Sequence, residues 1–343
     1  MKITQEEIRK KLISAAKQFV SAEEATYMAD ETIEAYLRKA PRTNPLKSTI
    51  DDLSATKNIE NREIKFNVDL PAFLEIDFNK QGPLVYIKKV HDLIEFKSRK
   101  SGITMVSFVN SQSMHTVHSW VQGLAKRGLM AIAVCNGGPG AVVPHNGTKG
   151  LFGTNPMAYG IPGRNGEIFC VDMATSEIPY FEIMDAYKNE TTLKDRSAVD
   201  ENGSFTTDPK KALDFSESET DPVSNIVPMG GGYKGYYIVY LMEVLTSALI
   251  GMPTSPEMSA DFVPEEHGAI IIAFNPEAMG TKDKFDQSVE ALHLAIKSQK
   301  AKSGETVIYP GENNNIKFIE NKNEDLEIDE SLNSKLEYLI NEI

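Results

Sequence analysis

The run Gly230-Gly231-Gly232-Tyr233-Lys234-Gly235 sets a lone ammonium on a backbone free to take positive φ and approach a ligand closely. Such a group meets a phosphate or a carboxylate. A P-loop is excluded, because Lys234 is followed by Gly235 rather than Ser or Thr. Histidine is the usual side chain for moving protons near neutral pH, and three of the six are placed for it. His115 lies just ahead of a short helix in "VNSQSMHTVHSW", His118 lies on that helix, and His145 sits in a glycine-rich loop. His91, His267 and His293 read as surface or packing residues. His115 and His118 have the i, i+3 spacing of a shared metal, but no third ligand accompanies them, so no metal is expected. Arg38, Lys39, Arg42 and Lys47 form a basic cluster that reads either as an anion site or as a solvated face. Arg42, permanently charged, can clamp a carboxylate or polarise a carbonyl. Thr43 can donate a hydrogen bond but is a poor proton source. Cys135 and Cys170 stand in apolar runs and read as buried thiols. No Cys-x-x-Cys pair and no Gly-x-Ser-x-Gly elbow is present.

The elements that must position these groups follow from periodicity. Two helices fill the first forty residues, each opened by a capping box, Thr4 with Glu7 and Ser21 with Glu24. Pro41 and Pro45 end the second, and residues 48–70 read as a connector. A helix over about 83–99 precedes a strand, "ITMVSFVN"; a short helix, "HSWVQGLAKRG", precedes another, "LMAIAVCN". Seven glycines between 136 and 160 predict a long loop. "EIFCVDMAT" is a strand, 185–226 a polar, loop-rich surface, and "YYIVYLMEVLTSALIG" a strongly apolar helix. "GAIIIAFNP" is a strand, "KFDQSVEALHLAIKSQK" an amphipathic helix, and "ETVIYPGENN" a strand running into a turn. A last helix begins at Asp329, its N-cap. The acidic, Asn-rich stretch after Glu312 reads as a solvated face. No G-x-G-x-x-G lies between a strand and a helix, so a Rossmann fingerprint is absent.

The chain has 343 residues, enough for two domains, with 41% hydrophobic and 25% charged residues. A net charge of −13 argues against nucleic-acid and anionic-membrane partners. No run of about 18 apolar residues is present, and the charged, periodic N-terminus is not a signal peptide. A cytoplasmic protein is expected.

Five motifs in order, "GLFGTNPMAYGIP" (150–162), "VDMATS" (171–176), "TTDP" (206–209), "GGYKGY" (231–236) and "YPGE" (309–312), resemble the malate/L-lactate dehydrogenase family. That family also holds ureidoglycolate and sulfolactate dehydrogenases, diketogulonate reductases and cyclic ketimine reductases. The resemblance implies an α/β, non-Rossmann fold with a mostly antiparallel cofactor-binding sheet and helical N- and C-terminal regions. It implies a substrate and dimerisation domain over 1–120 and 275–343, a cofactor-binding domain over 121–274, and a homodimer with active sites at its interface. The implied cofactor is NAD(P)H. Its holders would be Asn136, Gly137, Asp172, Met173, Ala174, Thr175, Ser176, Tyr233, Lys234, Gly311 and Glu312. The lysine would meet pyrophosphate or ribose-linked oxygens, and Glu312 the ribose hydroxyls.

The chain departs from the family at its catalytic signature. Where relatives carry Ser-His-Gly and then an arginine, an ungapped alignment sets Arg42, Thr43, Asn44 and Lys47. The second family histidine falls on Ser113, with His115 two residues later. Thr43, Arg42, Lys47 and His115 are therefore the expected catalytic set. Reducing a ketone creates an alkoxide that needs a placed acid; reducing an iminium does not. Three readings result: a reductase of a small anionic 2-oxo acid with a shifted acid, a reductase of a cyclic imine acid, or a non-catalytic cofactor-binding relative.

Overall fold

The computed structural model describes residues 1–38, 44–216, 218, 222–258, 263 and 265–341. Strict alternation of side chains along the apolar runs builds a seven-stranded sheet. Its strands are β1 (Lys65–Leu70), β2 (Phe73–Asp77), β3 (Ile103–Ser111), β4 (Met130–Cys135), β5 (Met157–Pro162), β6 (Ile168–Met173) and β7 (His267–Phe274). Their order is β1-β2-β3-β7-β4-β5-β6, and only β2–β3 is parallel, which gives the expected mostly antiparallel sheet. Along β7, Ala269, Ile271 and Ala273 face the main core, while Ile270 and Ile272 face a second cluster. The main-core face carries α4 (Ile87–Ser101) and α5 (Val117–Lys126). The other carries α7 (Tyr233–Thr246) through Met242, Ile238 and Leu245.

Helices α1 (Gln5–Ala16), α2 (Ala22–Arg38) and α3 (Pro45–Lys57) pack with α10 (Glu330–Asn341) against the main core. Both expected capping boxes put a side-chain oxygen on an N3 amide, Thr4 on Glu7 N at 3.2 Å and Ser21 on Glu24 N at 3.3 Å. Asp329 caps Leu332 N at 2.7 Å.

The connector expected over 48–70 is instead α3 followed by β1. Asn44 accepts from Leu46 N and Lys47 N, and Pro45, which lacks an N–H, occupies the first turn where none is needed. Pro45 thus opens a helix rather than closing one. The loop expected to run to 160 ends at β5, and "ETVIYPGENN" forms no strand: residues 305–311 are irregular and Glu312 opens α9 (Glu312–Asn321). The polar stretch 185–226 is loop-rich but has its own small core, in which Ile183 of α6 (Tyr180–Lys188) packs with Leu193, Ala198, Leu213 and Ile226. The remaining long helix, α8 (Lys282–Lys297), buries no residue completely.

Register brings chemistry to one end of the sheet. Ser111 pairs with His267, Cys135 with Ala269, Val134 with Met157, and Met157 with Met173. The chain leaves β3, β4 and β6 at this end, where Ser113–His115, Asn136–Gly137 and Asp172–Ser176 converge.

Candidate active site

A cavity of about 790 Å³ opens at that end. Of the residues singled out in the sequence, His115, Asn136, Gly137, Asp172, Met173, Ala174 and Ser176 line it. His115 is reached by a tight turn in which its N–H donates to Ser113 Oγ (3.2 Å) and its φ is +49°, a region histidine enters more readily than most side chains. Its Nε2 lies 3.3 Å from Oδ1 of Asp52, a fully buried residue of α3 whose Oδ2 accepts from Leu84 N at 2.8 Å. Burial opposes the imidazolium, but the neighbouring Asp52 carboxylate outweighs it and holds the His115 pKa above its ordinary value. Asp52 itself is pushed up by burial against the opposing pull of His115. Nε2 is thus the ring nitrogen turned to Asp52.

Asp172 accepts His118 N–H at 2.9 Å, and burial pushes its pKa up to about 7. The His118 ring is fully buried, does not line the cavity, and is pulled down to about 3 by burial. His267, read from the sequence as surface or packing, lines the cavity. Its Nδ1 lies 2.8 Å from the Asn136 carbonyl, and burial lowers its pKa to about 4. Neither His267 nor Asp52 carries a local signal, since each arrives from a distant strand or helix.

Other expected residues lie elsewhere. Thr175 is buried, with its hydroxyl directed to the Thr154 and Asn155 carbonyls. Tyr233 and Lys234 occupy the exposed first turn of α7 and do not line the cavity. Their turn is nevertheless tied to it: Met229 N donates to Thr175 O (2.9 Å) and Gly230 N to Glu177 Oε2 (2.7 Å), and Glu177 lines the rim. Gly230 and Gly231 take φ +73° and +63°, as the motif required. His145 is exposed against the Tyr233 ring. Gly311 lines a smaller cavity of about 380 Å³ that shares Asp172 with the first. The Glu312 carboxylate, which the ribose reading gave to cofactor hydroxyls, accepts from Lys297 Nζ (2.7 Å) and Tyr309 N (3.1 Å).

The basic cluster resolves into separate parts. Arg38 is buried, bonded to Glu34 and Asn315 and lying over Phe318, so it is no open anion site. Lys47 pairs with Asp51 at 2.5 Å, and Asp51 lines the cavity. Lys39, Arg42 and Thr43 lie outside the described residues. No cluster of three metal-ligating side chains occurs among the described residues, and no described helix is long and apolar enough to cross a membrane.

Residues 3–337 match the family model described as malate/L-lactate dehydrogenase. The chain belongs to this family. It is 30% identical to L-sulfolactate dehydrogenase of Methanocaldococcus jannaschii, over 98% of this chain and 95% of that one. The solved structure of sulfolactate dehydrogenase from that organism superposes with a TM-score of 0.82 at 28% identity, covering 100% of this chain and 97% of the other. Ureidoglycolate dehydrogenase (NAD(+)) of Escherichia coli O157:H7 is 27% identical over 84% of this chain and 80% of its own length. Delta(1)-pyrroline-2-carboxylate reductase of Agrobacterium fabrum is 33% identical over 60% and 58%. The family member described here is an oxidoreductase of the nicotinamide-dependent kind, with the expected non-Rossmann α/β fold.

Proposed function

We propose that this enzyme interconverts a small anionic 2-oxo acid and its 2-hydroxy acid with NAD(P)H, and that His115 moves the proton. The observation that carries this reading is the pairing of His115, which lines the main cavity, with the buried Asp52. Asn136, Gly137, Asp172–Ala174 and Ser176 would hold the cofactor, and the two cavities meeting at Asp172 suit an extended ligand. The bound nicotinamide supplies or accepts the hydride. In reduction, His115 delivers its Nδ1 proton to the developing alkoxide, and Asp52 stabilises the charged ring beforehand. In oxidation, neutral His115 takes the hydroxyl proton at the same atom. Lys47 is proposed to face the substrate carboxylate, and Lys234 a cofactor oxygen. Residues 1–120 and 275–343 bring His115 and Lys47, and 121–274 the cofactor residues. A homodimer is proposed, with a second copy covering the exposed Tyr237, Tyr240 and Leu241 face of α7.

A second reading, reduction of a cyclic imine acid, is favoured by one feature. Four acids, Asp51, Asp172, Glu177 and Glu182, line the cavity against one lysine, Lys194, and this excess of negative charge suits a cationic nitrogen. His115→Ala tested on oxo acids and cyclic imines separates the two. Loss of oxo-acid turnover alone supports His115 as the alkoxide's acid; retained oxo-acid turnover would overturn it.

A further inference from the structure

The apolar helix α7 carries one buried acid, Glu243, only 3% exposed. Burying a carboxylate is costly unless donors surround it. The donors that surround Glu243 are neutral and come from three separate segments. Oε1 accepts from Asn136 Nδ2 (3.2 Å) and, through a short contact, from Ser255 N. Oε2 accepts from Asn155 Nδ2 (2.7 Å) and lies 3.1 Å from Ser255 Oγ, whose single proton also has Gly138 O within reach at 3.0 Å.

Each of these residues in turn fixes loop backbone. Asn155 Oδ1 accepts Gly137 N (2.8 Å), Asn136 Oδ1 accepts Gly138 N (2.7 Å), and Ser255 Oγ accepts Gly153 N (3.2 Å). Asn136, Gly137 and Thr154 line the main cavity. The loops lie so close there that a Cβ on Gly137 would come within 2.8 Å of the Thr154 and Asn155 amide nitrogens. A shift in one loop must therefore move the other.

We propose that Glu243 is a positioning residue. Without lining the cavity, its carboxylate holds the 136–138 and 153–155 loops at the spacing that receives the dinucleotide. This rests on the reading of the cavity as the cofactor site.

The test is a polarity swap. Glu243→Gln points an amide at donors, and Asn155→Asp sets a second carboxylate against the first. Together they restore the bond in reverse: the amide at 243 donates to the carboxylate at 155, whose other oxygen still accepts Gly137 N–H. NADH and NADPH fluorescence titrations should show each single variant binding about tenfold or more weakly, with the double variant recovering to within about threefold of the parent. Amide exchange at Gly137 and Gly138, read without cofactor, should speed up in Glu243→Gln and slow again in the swap. A Glu243→Gln protein that melts earlier but binds cofactor with the parent Kd would make the carboxylate merely structural and overturn the proposal. So would a double variant no better than its weaker parent, or unchanged exchange at Gly137 and Gly138. If the parent binds neither nucleotide, the cofactor reading fails, while the exchange result still decides whether Glu243 holds the loops. If Glu243→Gln does not fold, Ser255→Ala removes one of the carboxylate's donors: faster exchange at Gly137 and Gly138, whose N–H groups bond to Asn155 and Asn136 and not to Ser255, supports the role, and unchanged exchange there overturns it.

Discussion

The Gly230–Lys234 turn and the His115–Asp52 pair make opposite cases. The turn is conspicuous in sequence, and its glycines adopt the positive φ that their type suggests. Yet the structure leaves Lys234 exposed on the first turn of α7. The pair is inconspicuous: nothing near Asp52 in the chain announces a site, and His115 stands two residues out of the family register. The fold nevertheless buries Asp52 completely and sets it 3.3 Å from His115 at the main cavity. A local backbone demand leaves a mark in residue type. A charge pair between segments sixty residues apart leaves none.

The largest effect should fall on the pair. His115→Ala is expected to lower kcat for oxo-acid reduction by about 10²–10⁴-fold while leaving NADH or NADPH affinity within about twofold. Single-turnover and titration measurements check this together, and a parallel loss of cofactor affinity would break the division between the two regions.

Asp52→Asn should cost less and change the pH profile. The raised His115 pKa keeps the acid form populated above its ordinary range of about 6.5, so reduction should decline only as pH rises through that raised value. Without the carboxylate, His115 is less easily protonated, and the falling limb should move to lower pH with kcat about tenfold down. The oxidation direction should show its rising limb shifted the same way. An unmoved limb would mean that Asp52 does not set the proton affinity of His115.

Lys234→Ala tests the turn. Cofactor Kd should weaken by about tenfold, and its salt dependence should flatten, because one ammonium–phosphate contact is lost. The melting temperature should hardly change, since the side chain is exposed and makes no ion pair among the described residues. An unaltered Kd would reduce the motif to a backbone device.

Stability, rather than turnover or affinity, separates the glycines of that motif. An added Cβ at Gly231 meets nothing within 4 Å, so Gly231→Ala should cost only the left-handed backbone, about 1–2 kcal/mol. At Gly235 the Cβ would sit 1.9 Å from the Met229 carbonyl oxygen, so Gly235→Ala must displace the turn itself. Chemical denaturation of both variants should rank them in that order.

Much of the fold was legible. Apolar runs located four of the seven strands of the main sheet, capping boxes located helix starts, and five ordered motifs carried the family resemblance. Where the reading slipped, short-range chemistry had two meanings. Pro45 stops a helix or starts one, and Asn44 as its N-cap decided for starting. "ETVIY" alternates like a strand but finds no neighbouring edge to pair with. The basic cluster at 38–47 was legible as charge and illegible as function: Arg38 is neutralised by Glu34 one turn earlier and bonded by Asn315 of another helix.

What the sequence determined by itself is therefore local: periodicity, caps, glycine conformations, and the motifs that mark the family. Those depend on interactions within a few residues, which composition and spacing encode. What only the tertiary structure decided is which charges meet. His115 with Asp52, His267 with the Asn136 carbonyl, and Glu243 with three loops each join segments far apart in the chain. Burial and pairing at such contacts depend on the packing of the whole sheet, and the same burial sets the proton affinities of the site.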